Sequence, residues 1–103
     1  MSAIKAVQTE KDKQAIAWLG EIYLTQAVQA LIKNASYEEL GGLFYSHAIG
    51  DWGLIPEDDK LSNIEALKNN GRVMSSYLFA GVKIWIITEA NRERTTALLP
   101  SEY

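Results

Sequence analysis

The sequence contains no cysteine, a single histidine and two prolines. Without cysteine the chain has no disulfide framework, no thiolate nucleophile and no cysteine-based zinc site. The lack of disulfides is typical of proteins that work in a reducing cytosol. A single histidine also supplies too few nitrogen ligands for a transition-metal centre. The sequence therefore predicts neither a metal nor a cofactor.

Positive charge is also scarce. Ten Lys and Arg residues stand against 13 Asp and Glu, which gives a net charge of -3. A free-standing nucleic-acid binder usually carries a basic patch, whereas the basic residues here are dispersed. The acidic residues are too few, and too mixed with basic ones, to indicate DNA mimicry. Direct nucleic-acid binding is therefore not expected.

Long apolar runs are missing as well. No run is long enough to cross a bilayer, and the start of the sequence, MSAIKAVQTEKDKQ, lacks the apolar core of a signal peptide. We therefore expect a cytoplasmic protein with no membrane partner. Met1–Gln8 shows no hydrophobic period. The 103 residues suffice for one domain, 1–103, with its own core.

The last third of the chain is rich in β-branched and aromatic residues, which favour a pleated, half-buried surface. The pattern predicts three antiparallel strands at Val73–Phe79, Val82–Glu89 and Thr95–Leu99. The first turn is Ala80-Gly81, with Gly81 free to take a positive φ. Within the second, longer turn, Asn91 is the residue expected in a left-handed conformation.

Helical spacing recurs four times before these strands, each time after a residue suited to begin a helix. The four starts are Thr9, Thr25, Ser36 and Pro56. The predicted buried faces are Ala15, Ile16 and Leu19; Ala27, Val28, Leu31 and Ile32; Leu40, Leu43, Phe44 and His47; and Leu61, Ile64 and Leu67. The short segment Glu21–Leu24 fits either a fourth strand or a continued helix. Helices followed by antiparallel strands predict an α+β fold, with N-terminal helices on one face of a small C-terminal sheet.

The second predicted strand is apolar on both faces at its centre. Ile84 and Ile86 lie on one face, and Trp85 and Ile87 lie on the other. The predicted helices can cover one face of this strand, so the other face needs to be covered by a loop or a partner. The edge strands of a small sheet also invite pairing, which makes a homodimer a further expectation.

More than half of the chain, from His47 onward, resembles a family of small proteins of bacterial plasmids and integrated mobile elements, often labelled "plasmid-related protein". The matching residues are His47, Gly50-Asp51-Trp52-Gly53, Glu57-Asp58, Asn63, Leu67, Gly71-Arg72, Ser75, Tyr77, Lys83-Ile84-Trp85-Ile86-Ile87-Thr88-Glu89-Ala90, Arg92, Thr95-Thr96, Leu98-Leu99-Pro100 and Glu102-Tyr103. The specific part is the ending WIITEA…TT.LLP.EY. The sequence departs from the family pattern at Ser46 and Asn91.

The resemblance implies a gene carried by mobile elements, without an established activity. That setting suggests an accessory protein that inhibits a host defence system, of the anti-CRISPR or anti-restriction type. Because no catalytic constellation is evident, we expect a non-enzymatic protein that acts on a host or element-encoded protein complex by direct contact. A transcriptional or plasmid-maintenance regulator is a further alternative, although no basic recognition helix supports it.

An enzymatic alternative rests on His47 and Asp51. An Asp four residues after the lone histidine could orient the imidazole for general-base work in a small hydrolase or toxin-like enzyme. A hydroxyl nucleophile would have to come from Ser46, Ser75, Ser76, Thr95 or Thr96, none of which lies in a recognisable nucleophile motif. A lone histidine at the end of an amphipathic helix is more often a packing residue.

Candidate partner-binding residues are the aromatic and charged side chains near the ends of the strands. Arg and aromatic residues are enriched at protein interfaces and often dominate their binding energy. The predicted set is Trp52, Arg72, Tyr77, Trp85, Glu89, Arg92, Arg94 and Tyr103. For Trp52 the competing interpretation is a ring that fills the gap between helix and sheet. The charged residues could equally form a solvated rim of the sheet.

Overall fold

The computed structural model describes residues 9–103, and it has the predicted α+β fold. In chain order the elements are α1 (Glu10–Leu19), β1 (Glu21–Leu24), α2 (Gln26–Leu31), a 3₁₀ turn (Ile32–Asn34), α3 (Tyr37–Ala48), α4 (Glu57–Asn69), β2 (Val73–Phe79), β3 (Val82–Thr88), β4 (Arg94–Leu98) and a second 3₁₀ turn (Pro100–Glu102). The sequence interpretation of Met1–Gln8 lies outside the described residues.

The four strands form one sheet in the order β1-β4-β3-β2. The pairs β2–β3 and β3–β4 are antiparallel, as predicted. The segment Glu21–Leu24, which the sequence left open between strand and helix, is a strand that pairs with β4 in the parallel direction. The sheet is therefore mixed, with its three C-terminal strands antiparallel and an N-terminal strand at one edge.

Three of the four helices among residues 9–103 begin at hydroxyl side chains, as predicted. In each case the hydroxyl oxygen accepts a hydrogen bond from the backbone N–H three residues later, which satisfies a donor that the helix itself leaves unpaired. The pairs are Thr9 with Asp12, Thr25 with Val28 and Ser36 with Glu39. Pro56 precedes α4, whose first turn holds three acidic residues. Local sequence chemistry therefore fixes where these helices start.

The main core lies between the helices and one face of the sheet. Alternation along the strands points every second side chain toward the helices, where it meets apolar residues of α1, α2 and α3. The buried members are Leu19, Val28, Leu40, Phe44, Tyr77, Phe79, Ile84, Ile86 and Ala97. The predicted buried face of α3 is confirmed, because Leu40 and Phe44 pack here and His47 is buried beside them.

The predicted buried face of α4 is wrong. Leu61, Ile64 and Leu67 are 60%, 44% and 47% exposed, and the buried residues of the helix are Asn63 and Ala66. The reason is the position of α4, which packs beside β2. The Asn63 side-chain amide donates to the Met74 carbonyl (2.8 Å), and its oxygen accepts from the Met74 N–H (3.1 Å). A strand edge presents backbone polar groups, so a polar side chain is buried there.

The loop before α4 covers the same edge of β2. The Ser76 N–H donates to the Trp52 carbonyl (3.1 Å), and the Leu54 N–H donates to the Ser76 carbonyl (2.7 Å). Gly53 bridges to Ser76 at a φ of 74°, and a Cβ on Gly53 would lie 2.1 Å from the Ser76 oxygen. Only glycine fits so close an approach.

Candidate functional site

One face of the sheet points away from the helices, and we call it the open face. Strand alternation and register place on it Tyr23, Met74, Ser76, Leu78, Lys83, Trp85, Ile87, Thr96 and Leu98. The segment after β4 folds back toward it, because the second 3₁₀ turn contacts β3. The centre of this face is not exposed, because Ile87 and Leu98 are buried (3% and 8% exposed) and Trp85 is half-buried. The exposed side chains of the open face lie around this centre.

Four charged residues of alternating sign cross one end of the open face, and we call them the charge row. Glu21 of β1 lies opposite Arg94 of β4. Glu89, just after β3, donates its N–H to the Arg94 carbonyl (3.1 Å). The pairing of Val73 with Thr88 places Arg72 opposite Glu89. The order across four strands is therefore acid, base, acid, base.

Aromatic rings lie next to the charge row. The Tyr103 ring is 5.6 Å from the Trp85 ring in an edge-to-face arrangement, and the Arg72 guanidinium lies 5.0 Å above the same tyrosine. At the other end Arg94 lies 5.6 Å above the Tyr23 ring. These contacts use the attraction between a cation and the electron-rich face of a ring. Five of the predicted partner-binding residues, Arg72, Trp85, Glu89, Arg94 and Tyr103, therefore lie on or beside the open face.

Trp52 and Tyr77, two further predicted contact residues, are buried and have structural roles. The Trp52 ring packs with Ile55, Ala66 and Val73, so it fills the space between α4 and the sheet. Tyr77 points toward the helices, and its hydroxyl donates to the Asp51 carbonyl. Burial raises the pKa of Tyr77 to about 12. Neither ring is available to a partner on the open face.

Arg92, the last of the eight predicted partner-binding residues, has a structural role. Its guanidinium donates to the carbonyls of Gly71 (2.6 Å), Glu89 (3.1 Å) and Ala66 (3.2 Å) and lies 5.1 Å above the Trp18 ring. It thereby satisfies carbonyls at the C-terminal end of α4.

The conformation of the β3–β4 turn differs from the prediction. Arg92, with a φ of 61°, is the left-handed residue, and Asn91 is not. The Asn91 side chain instead accepts the N–H of Glu93 (2.9 Å), as Asn commonly does in turns. The three carbonyl bonds of the Arg92 guanidinium offset the backbone strain of this conformation.

His47 belongs to a buried chain of hydrogen bonds. Its Nδ1 lies 2.5 Å from the Ser75 hydroxyl, and its Nε2 lies 2.8 Å from the Thr88 hydroxyl. Thr88 lies 2.7 Å from the Thr95 hydroxyl, which in turn donates to the Leu19 carbonyl (2.6 Å). We call these four side chains the core network.

The proton positions in the core network follow from the last bond. Thr95 has one hydroxyl proton, and it goes to the Leu19 carbonyl, so Thr88 must donate to Thr95. The Thr88 oxygen then accepts from His47 Nε2–H. Burial and the positive charge of Arg92 lower the pKa of His47 to about 4, so the imidazole is neutral near pH 7. In a neutral imidazole with a proton on Nε2, the Nδ1 atom accepts a hydrogen bond from Ser75.

The alternative in which Asp51 orients His47 is not what the structure shows. Both imidazole nitrogens are bonded to hydroxyls of the sheet, and the Asp51 side chain is exposed. Ser75, one of the hydroxyls considered as a nucleophile, does contact the imidazole, yet both side chains are buried in the core (0% and 1% exposed). The core network ties α3 and α1 to the sheet, which is a structural role.

The sequence interpretation missed Tyr23 and Glu21 as members of the open face. Tyr23 is 47% exposed, and its hydroxyl donates to the Glu21 carboxylate (2.7 Å). Both residues lie on β1, which the sequence left open between strand and helix. The signal that could have found them is the alternation in Glu21–Leu24, which puts Glu21 and Tyr23 on one face.

Among residues 9–103 no cluster of acidic or histidine side chains is arranged to hold a metal ion. Within the same range no helix is long and apolar enough to span a membrane. Comparisons of the chain with known protein families, with curated proteins and with solved structures find no match.

Proposed function

We propose that this chain is a non-enzymatic binding protein that engages a protein partner through the open face of its sheet. The observation that carries the proposal is the charge row beside exposed aromatic rings. Arg, Tyr and Trp are the residues that most often dominate binding energy at protein interfaces. The opposite face of the sheet is buried in the main core, whereas Tyr23 and Tyr103 at the sides of the open face are 47% and 62% exposed.

The charges favour a protein over a nucleic acid. The charge row contains two acids and two bases, so a phosphate backbone laid across it would meet Glu21 and Glu89 as well as the two arginines. Arg72 and Arg94 also cover faces of the tyrosine rings on which bases would otherwise stack. A protein surface with basic residues opposite the two glutamates and acidic residues opposite the arginines matches this pattern.

The resemblance to proteins of mobile elements gives the proposal a more specific form. In this form the chain is a cytoplasmic accessory protein that inhibits a host defence complex, of the anti-CRISPR or anti-restriction type, by occupying a contact surface on it. Direct contact requires no catalytic group, which agrees with the use of His47 inside the core. The hydrolase and regulator alternatives stay predictions, and no observation on residues 9–103 favours either.

Site-specific photo-cross-linking in bacterial cells tests the proposal. A photoreactive phenylalanine analogue at Tyr103, and separately at Tyr23, should give an adduct with one defined protein. The matched control is Tyr37, which is as exposed as Tyr103 (62% each) but begins α3 on the helical side. Arg72→Glu should remove the Tyr103 adduct, because it reverses one charge of the row and removes the cation above the ring.

The pattern of adducts decides the outcome. The proposal is supported if Tyr103 and Tyr23 give the same partner and Tyr37 does not. It is overturned if the three positions give the same adducts, if the open-face positions give none, or if Arg72→Glu leaves the Tyr103 adduct unchanged. Circular dichroism of each variant checks that the fold is intact.

A further inference from the structure

Helix α4 leaves its aliphatic side chains on the surface. Its buried residues, Asn63 and Ala66, face the edge of β2, which places Leu61 and Ile64 on the outer side. Surface leucines occur singly on most proteins, whereas an aliphatic stripe along a helix marks a contact surface.

Four exposed residues form a continuous line along this outer side, and we call it the seam. Glu57, Leu61, Ile64 and Lys68 follow each other at spacings of four, three and four residues. At 3.6 residues per turn these positions fall within an arc of about 60°. The same spacing defines the contact line of paired helices in coiled coils. From its N-terminal end the seam consists of an acidic residue, two aliphatic residues and a basic residue.

We propose that the seam binds the α4 helix of a second copy of this chain in an antiparallel arrangement. Both pairs are centred on the same point of the helix, so a two-fold axis at the level of Ser62 and Asn63 brings both pairs together. Glu57 then lies opposite Lys68 of the partner subunit, and Leu61 lies opposite the partner's Ile64. By symmetry each contact occurs twice.

The charges identify the occupant as a second copy in this orientation. The seam has opposite charges at its two ends, so it is complementary to its own reverse. A parallel pair would place acid against acid and base against base. Helix dipoles also favour the antiparallel pair, since the acidic first turn of each helix meets the C-terminal end of the other. This inference does not depend on the proposed function, because it uses a different surface.

The interface is small. Two aliphatic pairs and two ion pairs fall below the size of stable interfaces, about 1,200 Å² in total. The dimer should therefore assemble only at high protein concentration, and it should weaken as salt screens the terminal ion pairs.

Charge reversal at the ends of the seam is the decisive test. Sedimentation equilibrium should show a monomer–dimer equilibrium for the wild type. Glu57→Lys alone and Lys68→Glu alone should each weaken dimerisation by about tenfold, because each places like charges opposite one another twice. An equimolar mixture of the two variants should associate again, since every contact in the mixed dimer pairs a lysine with a glutamate.

Asp58→Lys is the matched control. It makes the same charge change in the same turn of α4, but its side chain lies about 100° around the helix from Glu57. It should leave the association constant within about twofold of the wild type. The proposal is overturned if the wild type stays monomeric up to millimolar concentration, if Asp58→Lys weakens association as much as Glu57→Lys, or if the mixed variants fail to associate.

The orientation has its own test, because the natural sequence contains no cysteine. Glu57→Cys mixed with Lys68→Cys should be joined efficiently by a short bis-maleimide reagent. Glu57→Cys by itself should give little dimer. Efficient cross-linking of Glu57→Cys to itself would contradict the antiparallel arrangement.

Discussion

Helices α3 and α4 are nearly equal in length, 12 and 13 residues, but α3 buries large apolar side chains and α4 buries none. Helix α3 lies over the face of the sheet and buries Leu40 and Phe44. Helix α4 lies beside β2 and buries Asn63, whose amide takes the place of a neighbouring strand. A sheet face presents side chains, whereas a sheet edge presents N–H and C=O groups. The surface that a helix covers therefore decides which of its sides is buried.

Truncating an α3 side chain that packs against the sheet should have the largest effect on stability. Phe44→Ala removes a ring that is 6% exposed in the main core, so it should lower the free energy of unfolding by about 3–5 kcal/mol. Urea denaturation followed by circular dichroism measures this. A loss below about 1 kcal/mol would show that α3 contributes less to the core than its packing indicates.

His47, the buried polar residue of α3, should make the stability of the fold depend on pH. The pKa of His47 is about 4 in the folded chain and about 6.5 when unfolded, so folding favours the neutral imidazole. Above pH 6.5 both states are neutral and stability is full. As pH falls from 6.5 toward 4 the unfolded state takes up a proton that the folded state does not, and about 3 kcal/mol should be lost.

The lone imidazole can be followed directly by NMR because no other histidine overlaps with it. Its ring C–H signals should stay at their neutral positions between pH 8 and pH 5. A titration midpoint near 6.5 in the folded protein would contradict the proton arrangement assigned to the core network.

Truncating the buried polar residue of α4 should have an intermediate effect. Asn63→Ala removes both hydrogen bonds to Met74, and the unpaired backbone groups should cost about 1–3 kcal/mol of unfolding free energy. Asn69→Ala is the control in the same helix, because Asn69 is exposed and bonds only Glu65. Equal denaturation midpoints for the two variants would rule out the role assigned to Asn63.

Truncating the exposed aliphatic residues of α4 should have the smallest effect. At concentrations where the chain is monomeric, Leu61→Ala and Ile64→Ala should each change unfolding free energy by no more than about 0.5 kcal/mol, because neither side chain is in a core. A loss of 2 kcal/mol or more, on the scale of core substitutions, would place these residues inside the monomer after all.

Much of the fold could be predicted because its signals are local. The hydroxyls of Thr9, Thr25 and Ser36 begin helices wherever those helices pack, and the β-branched runs form strands whose bounds agree within one residue. Gly81 takes the positive φ expected in the hairpin turn. The open face followed partly from alternation in β3, which separated Trp85 from Ile84 and Ile86.

The other parts of the fold and of the site could not be predicted, because they depend on contacts between residues far apart in the sequence. Leu61, Ile64 and Leu67 have the spacing of a buried face, but the sequence does not reveal that α4 meets a strand edge. Arg92 takes the left-handed conformation because its side chain bonds carbonyls some 21 and 26 residues away. The partners of His47, Ser75 and Thr88, come from two strands far along the chain, so proximity in sequence wrongly suggested Asp51.

The covered edge of β2 also limits how copies of this protein can aggregate. Filaments that grow by strand addition need two free edges on every unit, one to receive a strand and one to offer the next. Here Asn63 and the Trp52–Leu54 loop already occupy the backbone groups of Met74 and Ser76. Edge-to-edge pairing of two copies through β1 would therefore stop at a dimer. The native chain should resist fibril formation.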